Sequence, residues 1–87
     1  MRVYLQTPPV NVGDEQRAPR FCHLIVQEDM LEGWTLLKET GYQGSKGRVT
    51  RNQYKQQDSA IAALIKERDR QIERGYKVVF VEGQTQI

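Results

Sequence analysis

The sequence of this 87-residue chain predicts an α+β fold, with about five strands in an antiparallel sheet and one helix packed on a face. Segments of alternating apolar and polar residues predict the strands, and one long segment with apolar residues at helical spacing predicts the helix. Short polar turns separate consecutive strands, which favours an antiparallel meander. The expected order is β-β-β-β-α-β, in a single domain over residues 1–87.

The first predicted strand covers residues 2–7, where Val3 and Leu5 share one face and polar residues alternate with them. Pro8 and Pro9 end this strand, because proline has no N–H to donate to a sheet. The polar segment 10–19 that follows is expected to be a flexible loop.

Three further strands are predicted before the helix. Residues 20–28 are apolar on both faces in the middle, which is typical of a central strand covered on at least one side. A turn at 29–33 leads to a third strand at 34–40. The segment 48–54, with β-branched Val49 and Thr50, is the fourth.

One segment predicts the helix. Asp58 or Ser59 is the expected N-cap, since these side chains accept hydrogen bonds from the first N–H groups of a helix. Gly75 is the expected residue just past the C-terminal end. A final strand is predicted at 76–82. The apolar stripe of the helix is predicted to consist of Ile61, Leu64, Ile65 and Ile72.

Three glycines follow the third strand at a constant spacing, at Gly41, Gly44 and Gly47. A dinucleotide-binding fingerprint would open directly into a helix, but another strand intervenes here. A Walker A loop would place Ser or Thr after Lys46, where this chain has Gly47. These glycines are therefore interpreted as turn residues.

The basic residues are concentrated in the same region. The chain has a net charge of +2, and the stretch 38–55 contains five basic residues and one acidic residue, so the rest of the chain sums to −2. A hairpin that carries Lys46, Arg48 and Arg51 beside Tyr42 has the groups that phosphate contact requires. The same composition is typical of a solvated edge strand that lysine and arginine protect against aggregation.

The sequence offers no catalytic or metal-binding constellation. With one histidine and one cysteine, His23 and Cys22, neither a zinc site nor an internal disulfide is expected. These two residues are neighbours on a strand and point to opposite faces, which disfavours a Cys–His pair. We expect a non-enzymatic protein without cofactor. Neither a signal peptide nor an apolar span is recognisable, so a cytoplasmic location without membrane association is expected.

Several motifs together resemble the WGR domain. The strand "RFCHLIVQED", the strand "GWTLLKE", the turn "TGYQGSKGRV" and the helical segment "DSAIAALIKERDRQIERGYKVV" all have counterparts in that family. The similarity covers residues 20–79, and the chain as a whole resembles the small single-domain bacterial members. The resemblance implies an antiparallel sheet with a packed helix, in agreement with the fold predicted above.

The resemblance also implies a function. In poly(ADP-ribose) polymerases the WGR domain recognises DNA break ends, so the resemblance implies a non-catalytic DNA-binding module. The signature Trp-Gly-Arg falls on Thr40, Gly41 and Tyr42, where only the glycine is kept. Tyr76 corresponds to a family tyrosine near the DNA surface, and a position in the core is the alternative for this residue. The expected partner is DNA, bound weakly and in a salt-dependent way; the alternative is a protein-interaction module that has lost DNA binding.

The nucleic-acid-binding candidates are Tyr42, Lys46, Arg48, Arg51 and Tyr76.

Overall fold

A computed structural model of the chain describes residues 1–12 and 15–83. The strands are β1 (Arg2–Gln6), β2 (Val10–Val12), β3 (Glu15–Arg17), β4 (Arg20–Glu28), β5 (Trp34–Tyr42), β6 (Arg48–Tyr54) and β7 (Lys77–Glu82), and the helix α1 covers Gln57–Glu73. Five strands form one antiparallel sheet in the order β6-β5-β4-β1-β7, with α1 packed on one face. The predicted α+β fold is confirmed.

A second, two-stranded sheet replaces the loop expected at 10–19. β2 and β3 pair antiparallel, with Val10 opposite Arg17 and Val12 opposite Glu15. The loop prediction was wrong because it gave the overall polarity of the segment more weight than its local pattern. The alternating "VNV" is a short strand signal, and a two-residue Gly-Asp spacer before "EQR" is a hairpin signal. The placement of that spacer, residues 13 and 14, lies outside the described residues.

The hydrophobic core lies between the sheet and α1. Alternate residues of the strands face the helix, since the side-chain period of a strand is two. The opposite face of the sheet has no helix on it among the described residues. The buried core consists of Val3, Leu5, Cys22, Leu24, Val26, Leu36, Ala60, Leu64 and Tyr76.

The buried face of α1 differs from the predicted stripe. Ala60, Leu64 and Gln71 are its buried residues, whereas Ile72 is 45% exposed. Ile61 and Ile65 pack against the edge of the core without being fully buried. The predicted stripe was correct at Leu64, Ile61 and Ile65 and wrong at Ile72, because it was drawn through the apolar residues alone. The helix buries a glutamine, whose amide Nε2 donates to a Glu67 carboxylate oxygen 3.0 Å away.

The two ends of α1 are built differently. The N-cap is Gln56, which makes no side-chain capping bond, so the predicted cap at Asp58 or Ser59 was wrong and both residues lie inside the first turn. At the other end Gly75 has a φ of +99°, as expected. The Gly75 N–H donates to the Ile72 carbonyl and the Tyr76 N–H to the Gln71 carbonyl, the two bonds of a Schellman motif.

Candidate nucleic-acid interface

The β5–β6 hairpin forms one edge of the main sheet. β6 pairs with β5 from Arg48 opposite Thr40 to Tyr54 opposite Trp34. Among the described strands only β5 pairs with β6, so the outward-pointing N–H and C=O groups of β6 have no sheet partner. Its burial pattern is exposed throughout, except at Tyr54. The strand is therefore accessible from both faces and from its free edge.

Gly44 and Gly47 lie in the turn of the hairpin, as the sequence predicted, whereas Gly41 lies within β5. Gly44 has a φ of +86°, a conformation that residues with a Cβ rarely adopt. Gly47 is required by space instead, because a Cβ there would lie 2.8 Å from the Thr40 carbonyl oxygen. Gly41 lies across the hairpin from it, and a Cβ on Gly41 would come within 3.0 Å of the Gly47 Cα. Gly41 and Gly47 thus allow the two strands to approach closely next to the turn.

The basic side chains lie on both sides of the β6 edge. Lys46 is exposed in the turn, and Arg48 and Arg51 are exposed on the strand. Arg48 is opposite Thr40, on the helix side of the sheet, and Arg51 is opposite Leu37, on the other side. The three cations therefore flank an edge instead of forming a flat patch. A phosphate backbone that follows this edge can reach cations on both sides.

Within the described part of the chain, these cations have no carboxylate partner. Elsewhere in the described residues, Arg2 pairs with Glu82 at 3.4 Å and Arg68 with Asp69 at 2.9 Å. No salt bridge of the described residues involves Lys46, Arg48 or Arg51, nor Lys55, which follows β6. The positive charge of the hairpin thus remains available to an external anion.

The aromatic candidates have different positions. Tyr42 ends β5 and is 56% exposed, with the Arg20 guanidinium carbon 5.8 Å from its ring centroid. Arg20 therefore adds a cation beside Tyr42, and the sequence reasoning missed it because the pairing of β4 with β5 brings the two together. Tyr76 is only 5% exposed and belongs to the core. Its ring is not available for nucleic-acid contact.

The signature positions lie at the end of β5. Thr40 is half-buried opposite Cys22 of β4, and Gly41 is opposite Phe21. Neither offers a flat exposed surface of the kind that a tryptophan presents to a sugar. Of the three signature positions, Tyr42 alone carries an exposed side chain that can stack.

A groove of about 250 Å³ lies between β6 and α1 on the helix side of the sheet. The Glu67 carboxylate accepts a hydrogen bond from Lys38 Nζ at 2.8 Å and lies 3.3 Å from Arg70. Burial raises the pKa of Glu67, but the hydrogen bonds from Lys38 and Gln71 and the charges of Lys38 and Arg70 together outweigh it and hold this pKa below its usual value. The polar and charged lining includes Lys38, Thr50, Asn52, Lys66, Glu67 and Arg70.

The groove continues the positive surface of the hairpin. Its lining contains three cations and one carboxylate, and the groove adjoins the same face of β6 that carries Arg48. Lys66 makes no salt bridge among the described residues, whereas Lys38 and Arg70 share Glu67. No sequence pattern linked α1 to the hairpin, because their proximity depends on how the helix crosses the sheet.

Cys22 and His23 do not form a reactive pair. Cys22 is fully buried, and this burial raises the pKa of its thiol to about 11, so the thiolate nucleophile is disfavoured. His23 lies on the other face, where its Nε2 accepts a hydrogen bond from Arg2 Nε at 3.3 Å. Burial and then the charge of Arg2 lower the pKa of His23, which favours the neutral imidazole. The described residues contain no cluster of acidic, histidine or cysteine side chains suited to a metal ion.

Comparisons with known proteins identify no relative. No family model, no curated protein and no solved structure matches the chain. Within residues 1–12 and 15–83, no helix has the length and apolar character needed to cross a membrane. The functional assignment therefore depends on the chemistry of the hairpin.

Proposed function

We propose that this chain is a non-catalytic nucleic-acid-binding module that holds DNA phosphates along the free edge of β6. One observation carries the proposal: the stretch 40–57 contains four basic residues and no acidic residue. This stretch includes the turn of the hairpin and the whole of β6, the exposed edge strand of the sheet. The four basic residues are Lys46, Arg48, Arg51 and Lys55.

The edge supplies the chemistry that phosphate contact uses. Most protein–DNA hydrogen bonds go to the sugar–phosphate backbone, from arginine, lysine and backbone N–H groups. Along β6, Arg48 and Arg51 project from opposite faces, and unpaired N–H groups point outward between them. The WGR resemblance favours DNA as the nucleic acid. Tyr42 is the exposed aromatic side chain beside this edge.

Recognition is expected to be electrostatic and independent of base sequence. The hairpin has Thr40 and Tyr42 where the WGR signature has tryptophan and arginine, so stacking on a broken end is not part of the proposal. Four phosphate contacts would give a slope of about −3.6 for log K against log salt. Raising the salt from about 50 to 200 mM would then weaken binding roughly 150-fold.

The test is fluorescence anisotropy with short intact, nicked and 5′-phosphorylated DNA duplexes at several salt concentrations. R48A/R51A should weaken binding to all three and reduce the salt slope by roughly 1.8, the share of two contacts. The matched control R68A/R74A removes the same charge from α1 and its C-cap and should leave the slope near the wild-type value. Circular dichroism of each variant checks that the fold is intact.

Two results would contradict the proposal. The first is the absence of binding to any duplex at low salt. The second is an equal loss of affinity in R48A/R51A and R68A/R74A. This result would show that DNA binding depends on the net charge of the chain and not on a site on β6.

The second candidate function is a protein-interaction module. The observation that favours it is the opposite edge of the sheet, where four consecutive residues of β7, from Val78 to Val81, are apolar and between 41% and 58% exposed. Such an edge is a template for pairing with another strand. This candidate was expected as a module that has lost DNA binding. If the chain binds DNA, and if this binding requires Arg48 and Arg51, that expectation is contradicted.

A further inference from the structure

The free edge of β7 lacks the protection that β6 has. Every residue of β7 is exposed, and among the described strands it pairs only with β1. Edge strands are usually protected by central charges or proline, as Arg48 and Arg51 protect β6. In β7 the charges stand at the two ends, on Lys77 and Glu82, with an apolar run between them. This pattern is typical of a strand that pairs with another strand.

A β-bulge determines which face each end of β7 presents. Lys77 is opposite Gln6 and Glu82 is opposite Arg2, but the register shifts between Tyr4 and Leu5, so Val79 has no partner in β1. In a regular strand, residues five positions apart point to opposite faces. Because of the bulge, Lys77 and Glu82 both lie on the face away from α1.

This arrangement makes β7 complementary to itself. When two copies run antiparallel around a two-fold axis perpendicular to the sheet, every side chain keeps its face. Lys77 of each copy can then stand opposite Glu82 of the other, on the same face, at both ends of the pair. Between these ions, Val78 is opposite Val81 of the second copy. Opposite charges in directly opposed positions stabilise a strand pair, and like charges destabilise it.

We propose that two copies of this chain pair antiparallel through β7 and form one continuous ten-stranded sheet. The partner strand must place an anion opposite Lys77 and a cation opposite Glu82. An antiparallel second copy of β7 provides both charges, so it is the partner that the charges specify. The helices of both copies lie on the same face, and the two β6 edges lie at the far ends. The pairing therefore leaves the β5–β6 hairpins uncovered.

The test measures mass against protein concentration by sedimentation and light scattering. The wild-type chain should rise from 10.1 kDa to twice that mass as the concentration increases. K77E carries carboxylates at both ends of β7 and E82K carries ammonium groups at both ends, so each variant alone should remain a monomer. An equimolar mixture of K77E and E82K should form a mixed dimer, because all of its opposed charges are unlike.

Two further variants make the test specific. K77E/E82K exchanges the charges and should restore the homodimer. K66E makes the same change on an exposed position of α1 and should dimerise like the wild type. The E82K change also removes the exposed Arg2–Glu82 ion pair, which contributes little to folding, and circular dichroism controls for this.

The proposal is overturned in three ways. A wild-type chain that stays monomeric at millimolar concentration excludes the pairing. A dimer that persists in both K77E and E82K has its interface elsewhere. A mixture of the two variants that stays monomeric, while the wild type dimerises, excludes the charge register. None of these outcomes depends on DNA, so the dimer and the proposed β6 interface can fail independently.

Discussion

Truncating Leu64 or Ile72 to alanine tests which face of α1 packs on the sheet. Both substitutions remove three carbon atoms, but Leu64 is fully buried and Ile72 is 45% exposed. For L64A the lost transfer free energy is about 2.4 kcal/mol at 0.8 per buried carbon. The cavity left in the buried core brings the expected loss to about 3 kcal/mol.

The expected loss for I72A is much smaller. About half of Ile72 is already exposed to water. Alanine also has a higher helix propensity than isoleucine, which stabilises the variant by a few tenths of a kcal/mol. The net cost should be below about 1 kcal/mol. The folded chain as a whole is expected to be stable by about 4–13 kcal/mol, at 0.05–0.15 kcal/mol per residue. L64A therefore removes a large fraction of the stability and I72A a small one.

Urea and thermal unfolding followed by circular dichroism measure the difference. L64A should lower Tm by roughly 12–24 °C, at 4–8 °C per kcal/mol, and I72A by only a few degrees. Equal m-values would show that the unfolded states are comparable. Equal losses in the two variants, or a larger loss in I72A, would refute the assigned helix face and favour the stripe predicted from the apolar residues.

Two further predictions concern titratable groups in and beside the core. Because its folded pKa is lowered, Glu67 contributes stability that is present above its unfolded pKa of 4.5 and is lost as the pH falls through the folded value. E67Q should thus flatten the dependence of the urea midpoint on pH below 4.5, and unchanged steepness would remove Glu67 as the cause. With a pKa of about 11, Cys22 should be about 10⁻³ thiolate at pH 8, so iodoacetamide should label it only on unfolding. Complete labelling of the native chain within minutes would contradict its burial.

The strands of the main sheet follow from local pattern. Alternation gave nearly the observed bounds of β1, because a strand with one buried face must place its apolar residues at every second position. The apolar run of β4 and the β-branched residues of β6 gave bounds that match the structure. The helix end at Gly75 was equally predictable, since it depends on one residue with positive φ. Local patterns suffice where the physical constraint is itself local.

Two of the incorrect predictions have a common cause in long-range packing. Gln71 is buried where Ile72 was expected, and the Glu67 carboxylate satisfies its amide at that position. Tyr76 is in the core because the Schellman motif turns the chain back onto the sheet. The β2–β3 pair was not predicted, because the average polarity of the segment concealed a short alternation of apolar and polar residues.

The sequence alone determined the composition of the candidate interface: a stretch with four cations and no carboxylate that includes a whole strand. Only the tertiary structure decided that this strand is an edge, that Arg48 and Arg51 flank it on opposite faces, and that Tyr76 is inaccessible. The same is true of β7, where a bulge against β1 brings Lys77 and Glu82 to one face. Charge is a property of each residue, but the side and the edge on which it lies depend on strands distant in the chain.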